Sequence, residues 1–385
     1  MRKRILCLML LSLLCGCMQP KSIDSYAYVL NIGVEKGTTM PYLVTFLVSV
    51  PGDGTETTKV ENRVLTAEAR TLTEAASTLN GAYPSRLSFS RASLLVIHED
   101  LAKEGKQTDF LDFSFGKADL WQNVRVIIVR DHAKDVFEGW LSESDPSLRK
   151  IKTAAAELAI RSGLTVDVGY SAFSEAVECR YQDAMIAYAG VNRYGLQPDL
   201  LDNGTYPYTG GSLLVDSILS ATLAGCAVFD GDRMVGVLDG QHTMDVMMVT
   251  DDFVRGEKLF TLPDGQTLSV TLSRVRKPKI RLTGNNATVE LHLNADPTSP
   301  QSIPMDRDAL KTFLKTQLEA ELAAVFHALQ SVNSDAMGFG RAAAQRMRTV
   351  EAWEAYDWKA AYRALSVTFT VQITLSHNPT DPVLE

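Results

Sequence analysis

Five cysteines, six histidines and 46 carboxylates are the side chains with which this 385-residue chain could do chemistry. The histidines, His98, His132, His242, His292, His327 and His377, are dispersed. None stands at metal-ligand spacing from another histidine or a cysteine, so no zinc site is expected. No Gly-x-Ser-x-Gly elbow or phosphate-binding loop occurs. The carboxylates crowd at Asp230/Asp232 and Asp251-Asp252, where neighbours face different sides of a turn or strand and so do not form an acid–base pair. Gly338-Phe339-Gly340, with Ala343 just beyond, has the spacing of a degenerate dinucleotide loop. A helix-like segment precedes it where such a loop needs a buried strand, so it reads as a tight turn that lets two helices approach. Metal, cofactor and catalytic residues are therefore all expected to be absent.

One thiol remains chemically distinctive. Arg2, Lys3 and Arg4 precede a run from Ile5 to Leu14 that is apolar apart from Ser12, and Cys15-Gly16-Cys17 follows. A basic flank, a short apolar core and a small residue before the cut form a secretory signal. The core spans only ~15 Å, about half of a bilayer's hydrocarbon thickness. Leu14-Cys15-Gly16-Cys17 has the form of a bacterial lipobox. Residues 1–16 are thus expected to be a signal peptide, and Cys17 to carry a covalent diacylglycerol. Two acyl chains suffice for stable attachment to a bilayer. Of the other mature cysteines, Cys179 and Cys226, small buried thiols rather than a bridge are expected.

Cleavage before Cys17 removes three of the 38 basic residues, leaving 35 against 46 acids and a net charge of −11. Such a surface argues against nucleic acid as a partner. The basic run Arg274, Arg276, Lys277, Lys279 and Arg281 stands out against it and suits the solvent side of an edge strand.

The elements that must position these residues alternate between strands and helices. Strands are expected at Tyr26–Val34 and Tyr42–Val50, paired as a hairpin, and a helix over Thr71–Leu79 with Thr71 as N-cap and Glu74 closing a capping box. Strand Ala92–Ile97 leads into helix Glu99–Lys103, and strand Val124–Val129 into a helix through Phe137 capped by Asp131. Further helices are expected at Ile151–Ile160 and Ser174–Cys179, then a turn-rich boundary from Asn192 to Thr209. Asp230-Gly231-Asp232 joins strands Gly225–Phe229 and Met234–Leu238. Met244, Met247 and Met248 follow at helical spacing, as core filler. Leu268–Val275, Lys279–Leu282 and Thr288–Asn294 read as a meander. A helix over Asp306–Val332 carries an apolar stripe at Leu310, Phe313, Leu314, Leu318, Leu322, Val325, Phe326, Leu329 and Val332 that needs a sheet to cover, and strand Leu365–Leu375 supplies part of it. The predicted class is α+β and multi-domain, with mixed and antiparallel sheets and helices packed on one face. The segments are an N-terminal domain at 17–200, a small middle domain at 205–255 and a C-terminal domain at 257–385.

Several blocks, in order, resemble the Ger(x)C family, the lipoprotein C subunits of spore nutrient germinant receptors. They are Leu87-Ser88-Phe89-Ser90-Arg91 through Leu94 to Ala102, then Phe110 to Phe113, Val126 to Val129 with Ala133 to Val136, and Ala227-Val228-Phe229 with Met234 to Gly240. The C-terminal block is the most specific: Ser334 to Arg341, then Trp353 and Trp358 before strand Val367–Ile373. The resemblance implies a three-domain protein without catalytic activity, anchored on the outer face of the spore inner membrane beside two membrane-embedded partners, the A and B subunits. Those partners, not this chain, would be expected to bind the nutrient. Cys17 would be the anchor, and Gly338, Phe339, Gly340 and Arg341 with Trp353 and Trp358 a structural motif. The alternative class, a solute-binding lipoprotein of an importer, needs two matched lobes about a cleft, and the segments here are unequal.

Overall fold

The computed structural model describes residues 26–51, 60–105, 124–142, 156–178, 181–191, 209–210, 221–298 and 305–376. The signal peptide, Cys17, Cys179, most of the Asn192–Thr209 boundary and the first half of the Ile151–Ile160 helix lie outside them. The fold is α+β, built on two sheets.

The first sheet starts with β1 (Tyr26–Lys36), β2 (Tyr42–Pro51) and β3 (Val60–Ala69), an antiparallel meander. Beyond β1 it turns parallel through the short β4 (Arg86–Ser88), β5 (Leu94–His98), β6 (Arg125–Val129) and β7 (Met185–Val191). The antiparallel hairpin β8 (Ala221–Asp230) and β9 (Arg233–Leu238) closes it. The strand order is β3-β2-β1-β5-β6-β7-β8-β9, with β4 on β1. Helices α1 (Leu72–Ala82), α2 (Glu99–Glu104) and α4 (Tyr170–Glu178) pack on one face, and α3 (Ala133–Ser142) covers part of the other. Helices confined to one face are thus a property of the second sheet, because parallel crossovers in the first deliver a helix to its far side.

Local rules explain most starts and stops. Thr71 Oγ1 accepts the Glu74 N–H and caps α1 as expected, although the Glu74 carboxylate reaches one residue further, to the Arg70 N–H. The expected cap on α3 is corrected. Asp131 accepts the Val191 N–H at 2.7 Å, and the Ala133 N–H goes instead to the buried Glu35 at the end of β1, which also meets His132. The turn between β8 and β9 is two residues, Gly231-Asp232, with Gly231 at φ 61°, the left-handed conformation that such hairpins demand.

The second sheet, β10-β11-β12-β13, comprises β10 (Arg255–Thr261), β11 (Thr267–Thr283), β12 (Asn286–Thr298) and β13 (Ser366–Leu375). Its last pair is parallel and the others antiparallel. The two strands expected across Leu268–Leu282 are one 17-residue strand. Pro278 sits where the register shifts between Arg276 and Lys279, a bulge that tolerates the missing N–H. Among the described residues β10 pairs only as far as Ser273, and the Arg274 N–H still reaches the Val254 carbonyl, so of the basic run Arg276, Lys277, Lys279 and Arg281 lie on an edge with no described partner strand. Helix α5 (Gly240–Thr250) and the 25-residue α6 (Arg307–Ser331) cover one face, with Met244, Met247, Met248 and the α6 stripe buried in a single core.

β8 belongs to both cores. Ala227 and Phe229 face the N-terminal core, while Cys226 and Val228 face the C-terminal one, as strand alternation requires. The expected middle segment is therefore shared, its strands extending the first sheet and its helix α5 packing under the second. Cys226 is a buried free thiol that accepts the Thr243 hydroxyl, and burial pushes its pKa up to about 12.

A buried charge group ties α5, β10 and α6. Lys258 is 2% exposed and lies 2.6 Å from Asp245 and 2.9 Å from Glu321. Burial lifts the Asp245 pKa to about 6 against the pull of Lys258, whereas for Lys258 the two carboxylates outweigh burial and hold it charged. Removing one partner from such a group strands a charge, whereas apolar replacement of all of it is tolerated. Lys258→Met is expected to cost about 3–5 kcal/mol in urea unfolding, and Lys258→Met with Asp245→Leu and Glu321→Leu to recover most of that loss.

Candidate functional site

The segment after α6 must reverse direction within a few residues to bring three short helices back over the second sheet. Asn333 (φ 59°) and Gly338 (φ 76°) take left-handed backbone to do so, and Gly338 begins α7 (Phe339–Ala344), which α8 (Val350–Glu354) and α9 (Trp358–Arg363) follow. Thr349 and Asp357 cap the latter two, their side chains accepting the Ala352 and Ala360 N–H groups.

At the centre lies Asp335, with 0% exposure. Its carboxylate accepts the N–H groups of Phe339 at 2.9 Å and Gly340 at 2.6 Å, and Trp358 Nε1–H at 3.0 Å. Burial raises its pKa to about 7, with the charge of Asp183 adding to the rise and the three donors opposing it. A Cβ on Gly340 would stand 2.5 Å from the Tyr181 carbonyl oxygen and 2.6 Å from Trp358 Nε1, so only glycine fits this approach.

The same corner grips the first sheet. Asp183, just before β7, accepts the Asp335 N–H through Oδ2 and the Gly231 N–H of the β8–β9 turn through Oδ1, at 2.6 and 2.9 Å. Lys359 reaches Asp183 and Asp230, each at 2.6 Å, and donates to the Asn333 carbonyl. Burial works against the Lys359 charge, but the two carboxylates outweigh it and raise its pKa. Gln182 donates to the Ala336 carbonyl, and the Tyr362 hydroxyl to that of Ser334. Burial, then Asp335 and Asp183, push the Tyr362 pKa upward. Tyr181 packs on Trp353 at 5.3 Å between centroids, and Trp353 on Trp358 at 6.1 Å.

The structure therefore brings together Gly338, Phe339, Gly340, Trp353 and Trp358, while Arg341 is exposed on the outer side of α7. Cys17 lies outside the described residues. Asp183, Asp230, Asp335, Lys359 and Tyr362 complete the corner, and sequence spacing had not joined them. Asp183 and Asp335 are 152 residues apart; a lone acid between an aromatic and an apolar strand was the one local sign. Among the described residues no three His, Cys, Asp or Glu side chains stand together as metal ligands, and no helix is long and apolar enough to cross a membrane. What the arrangement does is hold: apart from the buried Ser334 hydroxyl, which finds no partner among the described residues, the polar groups of the corner are paired, and such a network fixes one relative placement of the elements that share it.

Comparison with known proteins gives two matches in chain order. Residues 19–189 match the family described as "Spore germination protein N-terminal domain", and residues 224–378 that described as "Spore germination B3/ GerAC like, C-terminal". A solved structure titled "Crystal Structure of the GerBC protein" is similar in fold, with a TM-score of 0.53 at 13% identity over 90% of this chain and 97% of that one. No curated protein sequence matches.

Two outcomes are expected. Gly340→Ala costs about 1–3 kcal/mol by overpacking, read as a lowered urea midpoint. Asp335 has its pKa raised from 3.8 to about 7, so its contribution to stability is complete at low pH and lost as pH rises through about 7. Against Asp335→Asn, which does not titrate, the unaltered chain accordingly loses stability from about pH 4 to about pH 7, a difference that thermal melts across this window measure.

Proposed function

Because the chain belongs to the Ger(x)C family of spore-germination proteins, we propose that it is the C subunit of a nutrient germinant receptor. In this reading it is anchored by diacylglycerol on Cys17 to the outer face of the spore inner membrane. It works by contact with the receptor's A and B membrane subunits, without catalysis and without a cofactor of its own.

The observation that carries the reading is the order and span of the two family matches, which together take in both sheets and the corner between them. The chemistry of the described residues is compatible with it. The buried Asp335 and Asp183 and the half-buried Lys359 are spent on one another and on backbone groups, so they hold the body together instead of facing a substrate. Among the described residues the sheets, nine strands and four, are unequal, unlike the matched lobes of an importer's solute-binding protein.

The anchor limits where the body can work. Eight residues, Met18 to Ser25, separate Cys17 from the start of β1 at Tyr26, and at full extension this stretch spans at most ~30 Å. The body therefore stays beside the bilayer, and tethering raises the local concentration of this subunit next to membrane-embedded neighbours.

Cys17→Ala is expected to release the protein from the spore membrane fraction and to impair nutrient-triggered germination, while germination by non-nutrient agents persists. Immunoblots of membrane and soluble fractions, with release of dipicolinic acid after nutrient addition, read both effects. An unchanged nutrient response in a strain that lacks this gene and its redundant paralogues contradicts the proposal.

A further inference from the structure

We propose that the cleft between the β11–β12 turn and helices α7 to α9 is a protein docking site, fitted to a partner segment that carries an apolar anchor side chain beside a carboxylate. The proposal deepens the receptor reading and rests on it for the partner's identity, a membrane subunit of the same complex.

The space comes first. The cleft holds about 240 Å³ and is walled by Leu282, Ala343, Met347, Tyr356, Trp358 and Leu365. Small-molecule pockets usually hold about 300–1,000 Å³ and enclose their ligand. This one is smaller and open, which suits a protruding side chain. Its composition is that of interface centres, where aromatic residues, methionine and arginine concentrate.

The charge comes second. Among the described residues Arg346 is the charged side chain in the wall, and it is exposed. It donates through Nη1 to the Leu282 carbonyl at 2.7 Å, which fixes the guanidinium at the rim and leaves further N–H donors of its five. No carboxylate among the described residues pairs with it. A chain with a formal charge of −8 that leaves an arginine unpaired beside an apolar cleft is complementary to an acid placed next to an apolar anchor.

The surroundings come third. Tyr181 at 36%, Val350 at 58% and Tyr356 at 39% are exposed large apolar side chains of this corner, and Trp353 joins both tyrosines, at 5.3 and 6.1 Å. Exposed apolar groups that connect in this way mark an interaction surface, whereas scattered ones do not. A lipid surface is the poorer fit, because Trp353 and Trp358 are 4% and 7% exposed. They form walls rather than projecting toward a bilayer. The site is also rigid before binding, since Trp358 is held by Asp335 and little ordering cost remains to be met on this side.

The test uses the full lipidated chain in membranes of sporulating cells, with photo-reactive benzoyl-phenylalanine at Met347 and, as control, at Gln372, which is exposed on β13. The Met347 probe is expected to give about tenfold more adduct than the control, with Arg346→Glu lowering it about tenfold and Arg346→Lys keeping it within about threefold. Mass spectrometry should place the adduct on an apolar residue within a few positions of an Asp or Glu in a receptor membrane subunit. Changing that acid to Lys should restore the adduct to Arg346→Glu. Equal labelling from both positions, adducts to lipid or to a second copy of this chain, or indifference to Arg346→Glu overturns the proposal. A gene whose loss abolishes nutrient germination but whose product gives no such adduct keeps the receptor reading and loses this one.

Discussion

A carboxylate removed from water must find donors, and Asp335 finds them in two backbone N–H groups and an indole. That requirement sets the course of the chain around it. Phe339 and Gly340 can donate only if Gly338 turns left-handed, Gly340 can lie against Tyr181 and Trp358 only without a side chain, and Trp358 can donate only where α9 begins. Through Asp183, whose carboxylate accepts the Asp335 N–H, the same requirement extends to the β8–β9 turn. Lys359, set between Asp183 and Asp230, balances the acids that gather there.

The corner and β8 together make one body of two sheets. β8 gives one row of side chains to each core, and the corner locks the end of that hairpin to the helices over the second sheet. A subunit built this way presents surfaces at fixed relative positions. In the proposed receptor that is the useful property: a tethered body that transmits contact through rigid packing, with the rim of the α7–α9 cleft as the part shaped to be met. The buried Lys258 group plays a similar positioning part for α5, β10 and α6, away from that rim.

Much of this was legible because the signals are local. Thr71 and Glu74 announce α1, the stripe from Leu310 to Leu329 announces α6, and Asp230-Gly231-Asp232 announces the β8–β9 hairpin. The elements that were missed have physical reasons. β10 carries Lys258 in its inward row, which breaks the apolar alternation that a strand ordinarily shows. β7 is buried on both faces, so its apolar run shows no alternation with polar residues. β3 lies at the rim of its sheet with little buried surface. Asp131 looked like a cap because the true acceptor, Glu35, is 98 residues away. At the candidate site the glycines were legible as a tight turn, but their cause was not, since Asp183 reaches Asp335 from 152 residues away and Trp358 from 23.

The central claim is that the corner opens only when the whole molecule does. Amide hydrogen exchange tests it most directly: the Phe339 and Gly340 N–H groups should exchange with the same free energy of opening as the central amides of β8 and β12. Exchange at Phe339 and Gly340 faster by several orders of magnitude, with β8 and β12 still protected, would show a corner that opens by itself and would contradict the account.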